Sequence, residues 1–182
     1  MSGLHQNVVS VLGGWSPPDA EQDALRHAFL GFLAAREDAC QRSCVPGHIT
    51  ASALVMDAAR ERVLLTLHPR VGRWLQLGGH CEPGDATLPE AVLREATEES
   101  GIEGLSIGEE PLHLDVHPIT CSLGVPTRHF DVRFLVLAPE GAHAVRSSES
   151  VDLRWWPLTG LPPDVDSVPR MVRLATARPV DA

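Results

Sequence analysis

Three glutamates near the middle of the chain have the types and spacing to do chemistry. Glu95, Glu98 and Glu99 stand at i, i+3 and i+4, so on a helix their carboxylates share one face. As stability devices they make no sense. Each such like-charge pair costs roughly 0.2–0.5 kcal/mol. Glu98 and Glu99 also fall in the last helical turn, at the negative end of the helix dipole, which costs about 0.3–1 kcal/mol per charge. Arg94 offsets part of this through Glu98 at i+4. Clustered carboxylates beside the glycine-rich Leu77-Gly78-Gly79 loop offer oxygen-only ligands, which suit a hard cation, Mg²⁺ or Mn²⁺. Local rules broken together inside a well-made helix mark a functional site.

That helix is otherwise well specified. Thr87 and Glu90 form a Thr-x-x-Glu capping box, Pro89 sits in the first turn, and Gly101 supplies a left-handed stop, which predicts a helix over 88–100. Its apolar face is Leu88, Ala91, Val92 and Ala96, with Leu93 at the edge.

The segment resembles the signature box of the Nudix hydrolases. That pattern is glycine, five residues, glutamate, seven residues, then Arg-Glu-aliphatic-x-Glu-Glu-x-Gly-aliphatic. The match runs through Gly79, Arg94, Glu95, Glu98, Glu99, Gly101 and Ile102. Three positions depart from it. The stretch from Gly79 to Arg94 holds one extra residue near Ala86, Asp85 stands where the family has its first glutamate, and Ala96 replaces a larger aliphatic. The loop's register and any Asp85–Arg94 ion pair are therefore left open. The resemblance implies an α/β fold, a Nudix-type α/β/α sandwich with a mixed β-sheet. It also implies that Glu95 and Glu99 are the principal cation ligands, that Glu98 is a third ligand or the base, and that Gly79 adds its backbone carbonyl. Arg94 joins the catalytic group by orienting a glutamate. Family members often draw a base from a loop further on, which makes Glu149 a candidate. The implied activity is Mg²⁺-dependent cleavage of a diphosphate linkage in a small nucleotide-like molecule.

The elements that must position this site read as follows. Residues 20–38 form a helix with Leu25, Phe29, Phe32 and Leu33 at helical spacing, capped by Asp19. Residues 1–46 are expected to be an N-terminal helical extension packed on a main domain of residues 47–182, or on a second copy in a homodimer. His48–Met56 and Arg62–His68 suit a hairpin around Asp57–Glu61, and Trp74–Leu77 is a short strand ending at Gly78-Gly79. Leu112–Thr120 and Arg128–Leu137 are two alternating strands joined through Gly124-Val125-Pro126, Asp152–Trp156 is a last strand, and a helix follows around Val168–Ala177. The alternation puts His113, Asp115 and His117 on one strand face and His129, Asp131 and Arg133 on another. Of these, His117, His129 and Asp131 are candidate substrate-binding residues. Trp74, as a base-stacking ring, and Arg70, as a phosphate contact, complete that set.

Bulk properties exclude other classes. The formal charge is −9, a poor match for polymeric nucleic acid. All 15 basic side chains are arginine, and there is no tyrosine. Schiff-base, PLP and P-loop-lysine chemistry are therefore ruled out. No apolar run is long enough to span a membrane and the start lacks a secretory pattern, which predicts a cytoplasmic protein. Cys40, Cys44, Cys81 and Cys121 show no disulfide framework. Cys40, Cys44 and His48 stand four apart, but ordinary thiols are favoured over a zinc site. A competing reading is a nucleotide-binding regulatory module of the same fold without catalysis; the presence of all three glutamates ranks it second.

Overall fold

The computed structural model describes residues 3–120, 124–148 and 150–179. Two helices open the chain, α1 (Gly3–Gly14) and α2 (Ala20–Ala35). Four strands follow, β1 (His48–Met56), β2 (Arg62–Leu67), β3 (Trp74–Leu75) and β4 (Leu77–His80). After α3 (Leu88–Ser100) come β5 (Ser106–Ile107), β6 (His113–Thr120), β7 (Pro126–Leu137) and β8 (Asp152–Pro157), then α4 (Val168–Ala177). All eight strands belong to one mixed sheet. At its centre β1 runs parallel to β7 along its whole length, His48 beside His129 through Met56 beside Leu137. The other edge of β1 is shared between β4 and β2, both antiparallel. β6 pairs antiparallel with β7, and β8 with β2.

A strand buried on both faces reads as a continuous apolar run, and every residue of β1 is buried. Its odd-numbered residues Ile49, Ala51, Ala53 and Val55 pack with α1, α2 and α3. Its even-numbered Leu54 and Met56 pack with α4 through Val168, Met171 and Val172. The sheet is thus covered by helices on both faces, with the N-terminal helices on the α3 side.

The predicted α3 is the observed one. The Thr87 side chain accepts from the Glu90 amide while Glu90 reaches back to the cap, and Gly101 sits at φ +65°. Leu88, Ala91, Val92 and Ala96 are fully buried. Asp19 caps α2, its Oδ1 accepting from the Gln22 amide at 2.9 Å. That helix ends at Ala35, earlier than position 38, because Arg36 turns to extended backbone and its amide bonds the Leu33 carbonyl. The expected strand over 74–77 is two short ones, β3 on β2 and β4 on β1. Helix α1 went unread, since Gly3, Gly13 and Gly14 dilute its pattern. It buries Leu4, Val8 and Leu12 in the same core as α3. The two N-terminal helices are tied to β6 and α3 by polar bonds as well. Gln22 Nε2 donates to the Leu114 carbonyl (3.1 Å), and its Oε1 accepts from the Leu114 amide (2.6 Å). Asn7 Oδ1 accepts from the Leu88 amide at 2.8 Å.

Candidate active site

Strand β4 carries Gly78 and Gly79 to the C-terminal half of α3. Gly78 has φ +142°, and a Cβ there would lie 2.5 Å from the Ala51 carbonyl oxygen. Only glycine lets the loop pass so close to β1. At Gly79 a Cβ would stand 2.6 Å from Glu95 Oε2, so the Glu95 carboxylate lies directly against the loop backbone. The Gly78 amide donates to Glu99 Oε2 at 3.1 Å. Glu99 is 9% exposed. Glu98 is the outlying member, its side chain 59% exposed.

Arg94 organises this corner. Its Nε and Nη2 donate to Asp85 Oδ1 and Oδ2, both at 3.0 Å. Nη2 also donates to the His80 carbonyl at 2.9 Å. Nη1 donates to Glu95 Oε1 and to Glu98 Oε2, each at 3.1 Å. The ion pair left open by the sequence is therefore formed, and the extra loop residue is absorbed before the helix. Asp85 Oδ2 additionally accepts from the Glu82 amide at 2.7 Å. Burial works against the Asp85 charge, yet the Arg94 bonds, the Glu82 amide and the Arg94 charge hold its carboxyl below the usual range. Hydrogen bonds donated to Asp85, opposed by burial and helped by Glu95, push the Arg94 guanidinium further up.

Gly79, Glu95, Glu98 and Glu99 offer oxygen donors alone, and the Gly79 cradle is filled by a carboxylate rather than a Cβ. This donor set fits a hard divalent cation.

The opposite, α4-facing side of the sheet carries the polar residues of β6 and β7. Asp131 is 2% exposed and fully engaged. It accepts from Thr50 Oγ1 (2.9 Å), Ser52 Oγ (2.8 Å), Arg133 Nε (2.7 Å) and Gln76 Nε2 (3.4 Å). Burial disfavours its charge, but the Arg133 charge and these bonds outweigh that and keep the carboxyl low. Arg133 Nη2 continues to Asp115 Oδ2 (3.0 Å), which pairs with His117 Nδ1 (2.8 Å). His117 and His129 face each other across β6 and β7, ring centroids 5.3 Å apart. They leave a half-buried edge on this face, whereas Asp131 lies inside the network.

Trp74 packs edge-on against Trp156 at 5.2 Å, with the Arg154 guanidinium 5.7 Å from its ring centre. Arg70 is exposed in the turn between β2 and β3. Neither belongs to β4 or α3, the elements that carry the glycine loop and the glutamates. Glu149 lies outside the described residues.

Cys40 and Cys44 lie in the irregular segment between α2 and β1. Cys44 Sγ is 3.5 Å from Asp38 Oδ1, and burial pushes the Cys40 thiol up to about 12, helped by Cys44. Among the described residues, the trio of histidine, cysteine or carboxylate side chains whose ligand atoms all lie within 4.8 Å of one another is a different one, His48, His80 and His129. Burial depresses all three imidazoles, His80 to about 4 with help from the Arg42 and His48 charges, and His129 to about 3 with help from His80, His117 and His48. Sequence spacing gave no signal for this group, which arises from strand register.

The NUDIX domain model matches residues 46–174. The chain belongs to the Nudix family, and it is a Nudix-type pyrophosphohydrolase, acting on acid anhydrides in phosphorus-containing compounds. No curated protein matches it. Among solved structures it is similar to the MutT protein from Methanosarcina mazei Go1 (23% identity, TM-score 0.56, 72% of this chain and 94% of that one). It is also similar to a NUDIX-family hydrolase from Clostridium perfringens (23%, 0.54, 71% and 93%) and to a C. elegans Ap4A hydrolase (22%, 0.53, 71% and 95%). These likenesses establish the fold. Among the described residues, no helix is long and apolar enough to cross a membrane.

Proposed function

We propose that this chain hydrolyses, with Mg²⁺, the diphosphate linkage of a nucleoside diphosphate joined to another moiety, of ADP-ribose or nucleotide-sugar type, or of a nucleoside triphosphate. The observation that carries the reading is the seating of Glu95 and Glu99 against the Gly78-Gly79 backbone while Arg94 locks both loop and helix. Glu95, Glu99 and the Gly79 carbonyl would hold the cation, with Glu98 as a further ligand or the base. When bound, the cation neutralises diphosphate oxygens and lowers the pKa of water.

The chain's own residues do the positioning. Arg94 orients Glu95 and keeps the loop on the helix, so the ligands are in place before substrate arrives. Such preorganisation is where most of the rate in phosphoryl chemistry originates. Glu98, exposed and held among the described residues by one arm of Arg94, is the carboxylate with freedom to swing toward an attacking water. The half-buried His117–His129 edge, Trp74 and Arg70 are the candidate contacts for the nucleoside and the outer phosphate. With a net charge of −9, the enzyme has a small nucleotide-like substrate rather than a nucleic acid.

The test is a panel of nucleotide sugars, dinucleotides and nucleoside triphosphates with Mg²⁺, wild type against Glu99→Gln. One compound turned over by wild type and slowed at least about a hundredfold in the variant supports the reading. Equal background rates on every compound overturn it. Tight nucleotide binding without turnover would favour the regulatory module instead.

A further inference from the structure

We propose that His48, His80 and His129 form a second cation site, separate from the glutamates, that binds one borderline transition-metal ion of the Zn²⁺ type through three imidazole nitrogens. The site follows from register. His48 and His129 are direct neighbours in the parallel β1–β7 ladder. His80 ends β4, opposite Thr50, two residues along β1 from His48. All three side chains therefore leave the sheet on the α4 side, whereas the α3 glutamates lie on the other. Ring centroids are 5.1 Å apart for His48–His80, 5.0 Å for His48–His129 and 5.1 Å for His80–His129.

One ligand nitrogen from each lies within 4.8 Å of the other two. Tetrahedral Zn²⁺ with bonds of about 2.0–2.1 Å needs nitrogens about 3.4 Å apart, so small ring rotations complete the set. An independent observation points to a ligand. Nε2 of His48 and Nε2 of His129 are both buried with no hydrogen-bond partner. His48 itself is 1% exposed. Orphaned buried polar atoms are rare and costly, and two of them on neighbouring rings 5.0 Å apart call for a shared partner. A cation supplies it.

The contact behind the His48 ring agrees. His48 Nδ1 faces the Cys44 carbonyl at 3.5 Å. A proton donated there leaves the Nε2 lone pair for a metal, the arrangement that orients most histidine ligands. Nitrogen-only donors select Zn²⁺, Ni²⁺ or Co²⁺ over Mg²⁺, so the histidine site does not draw on the Mg²⁺ proposed for the glutamates. Three protein ligands leave a fourth position for water or a substrate oxygen. The site also touches the catalytic loop. His80 follows Gly79, and its carbonyl already accepts from Arg94 Nη2. A metal on the His80 ring would pin from one sheet face the residue that Arg94 pins from the other.

This inference does not depend on the hydrolase reading, and its test uses no substrate. The full chain, stripped with a chelator, is titrated with Zn²⁺ against a chromophoric competitor, and with Co²⁺ followed by its visible absorption. With Mg²⁺ in large excess to fill the glutamate site, wild type and the double variant Glu95→Gln/Glu99→Gln should each take up one equivalent of Zn²⁺. His129→Gln and His80→Gln should weaken binding at least about tenfold, while the exposed His143→Gln stays within about twofold. Circular dichroism confirms that each variant is folded. Should a trio variant fail to fold, a Zn²⁺-dependent rise in wild-type melting temperature, retained by Glu95→Gln/Glu99→Gln, carries the same information. No uptake by wild type, unchanged affinity in the folded histidine variants, or loss of Zn²⁺ in the glutamate variant each overturns the proposal.

Discussion

Arg94 and Asp85 form a two-pronged ion pair, Nε to Oδ1 and Nη2 to Oδ2, both at 3.0 Å, that staples the loop after β4 to helix α3. Asp85 is 6% exposed at its side chain and Arg94 22%. A planar fork cannot be replaced by a point charge. Arg94→Lys should therefore lower kcat/KM at least about tenfold, and Asp85→Asn should destabilise by about 1–3 kcal/mol. Steady-state kinetics and urea denaturation check both. Wild-type values in Arg94→Lys would show that the fork has no positioning role.

The two loop glycines should fail in different ways. Gly78→Ala puts a methyl 2.5 Å from the Ala51 carbonyl at a φ of +142°, where backbone must move. It should cost about 2 kcal/mol or more. Gly79→Ala meets only the end of the Glu95 side chain. Glu95 can swing away, so the fold should survive while activity drops by about a hundredfold. Melting temperature and turnover, measured on both variants, separate the two.

The Asp131–Arg133 pair should be far costlier to break than to replace. Asp131→Ala leaves a 4%-exposed guanidinium partly unpaired and should cost about 3–5 kcal/mol. The double variant Asp131→Leu/Arg133→Met should recover more than half of that loss. A double-mutant cycle by chemical denaturation gives the coupling directly.

Acid should weaken the fold through a buried histidine. Burial depresses His113 to about 4, with Arg133 and Arg170 adding to the effect and Asp115 and Asp131 opposing it. Its folded value lies below the unfolded value of about 6.5, so the unfolded chain binds more protons between the two. The stability it contributes is complete above about pH 6.5 and is lost as pH falls toward 4. His113→Gln should flatten the melting-temperature curve across that window. An unchanged slope would assign the acid sensitivity to other groups.

The helix that carries the glutamates was legible end to end, because a capping box, a proline and a terminal glycine act within a few residues of one another. The hairpins were legible for the same reason, alternation being a local property. Helix α1 was not, since three glycines in twelve residues hide a face that only burial against α2 and α3 reveals. The division of residues 74–80 into two strands was also hidden. It depends on β2 and β1 offering separate edges to one short segment.

Amino-acid order alone determined the carboxylate trio, the loop beside it and the family pattern, since all lie within one continuous stretch. Only the tertiary structure decided that Asp85 could stand in for the family's glutamate and close on Arg94, and that Asp131 would disappear into a buried network. It also decided that His48, His80 and His129 would meet. The last two outcomes rest on β1, β4 and β7 lying side by side at one register. A one-residue slip of any of these strands would turn its imidazole to the other face of the sheet.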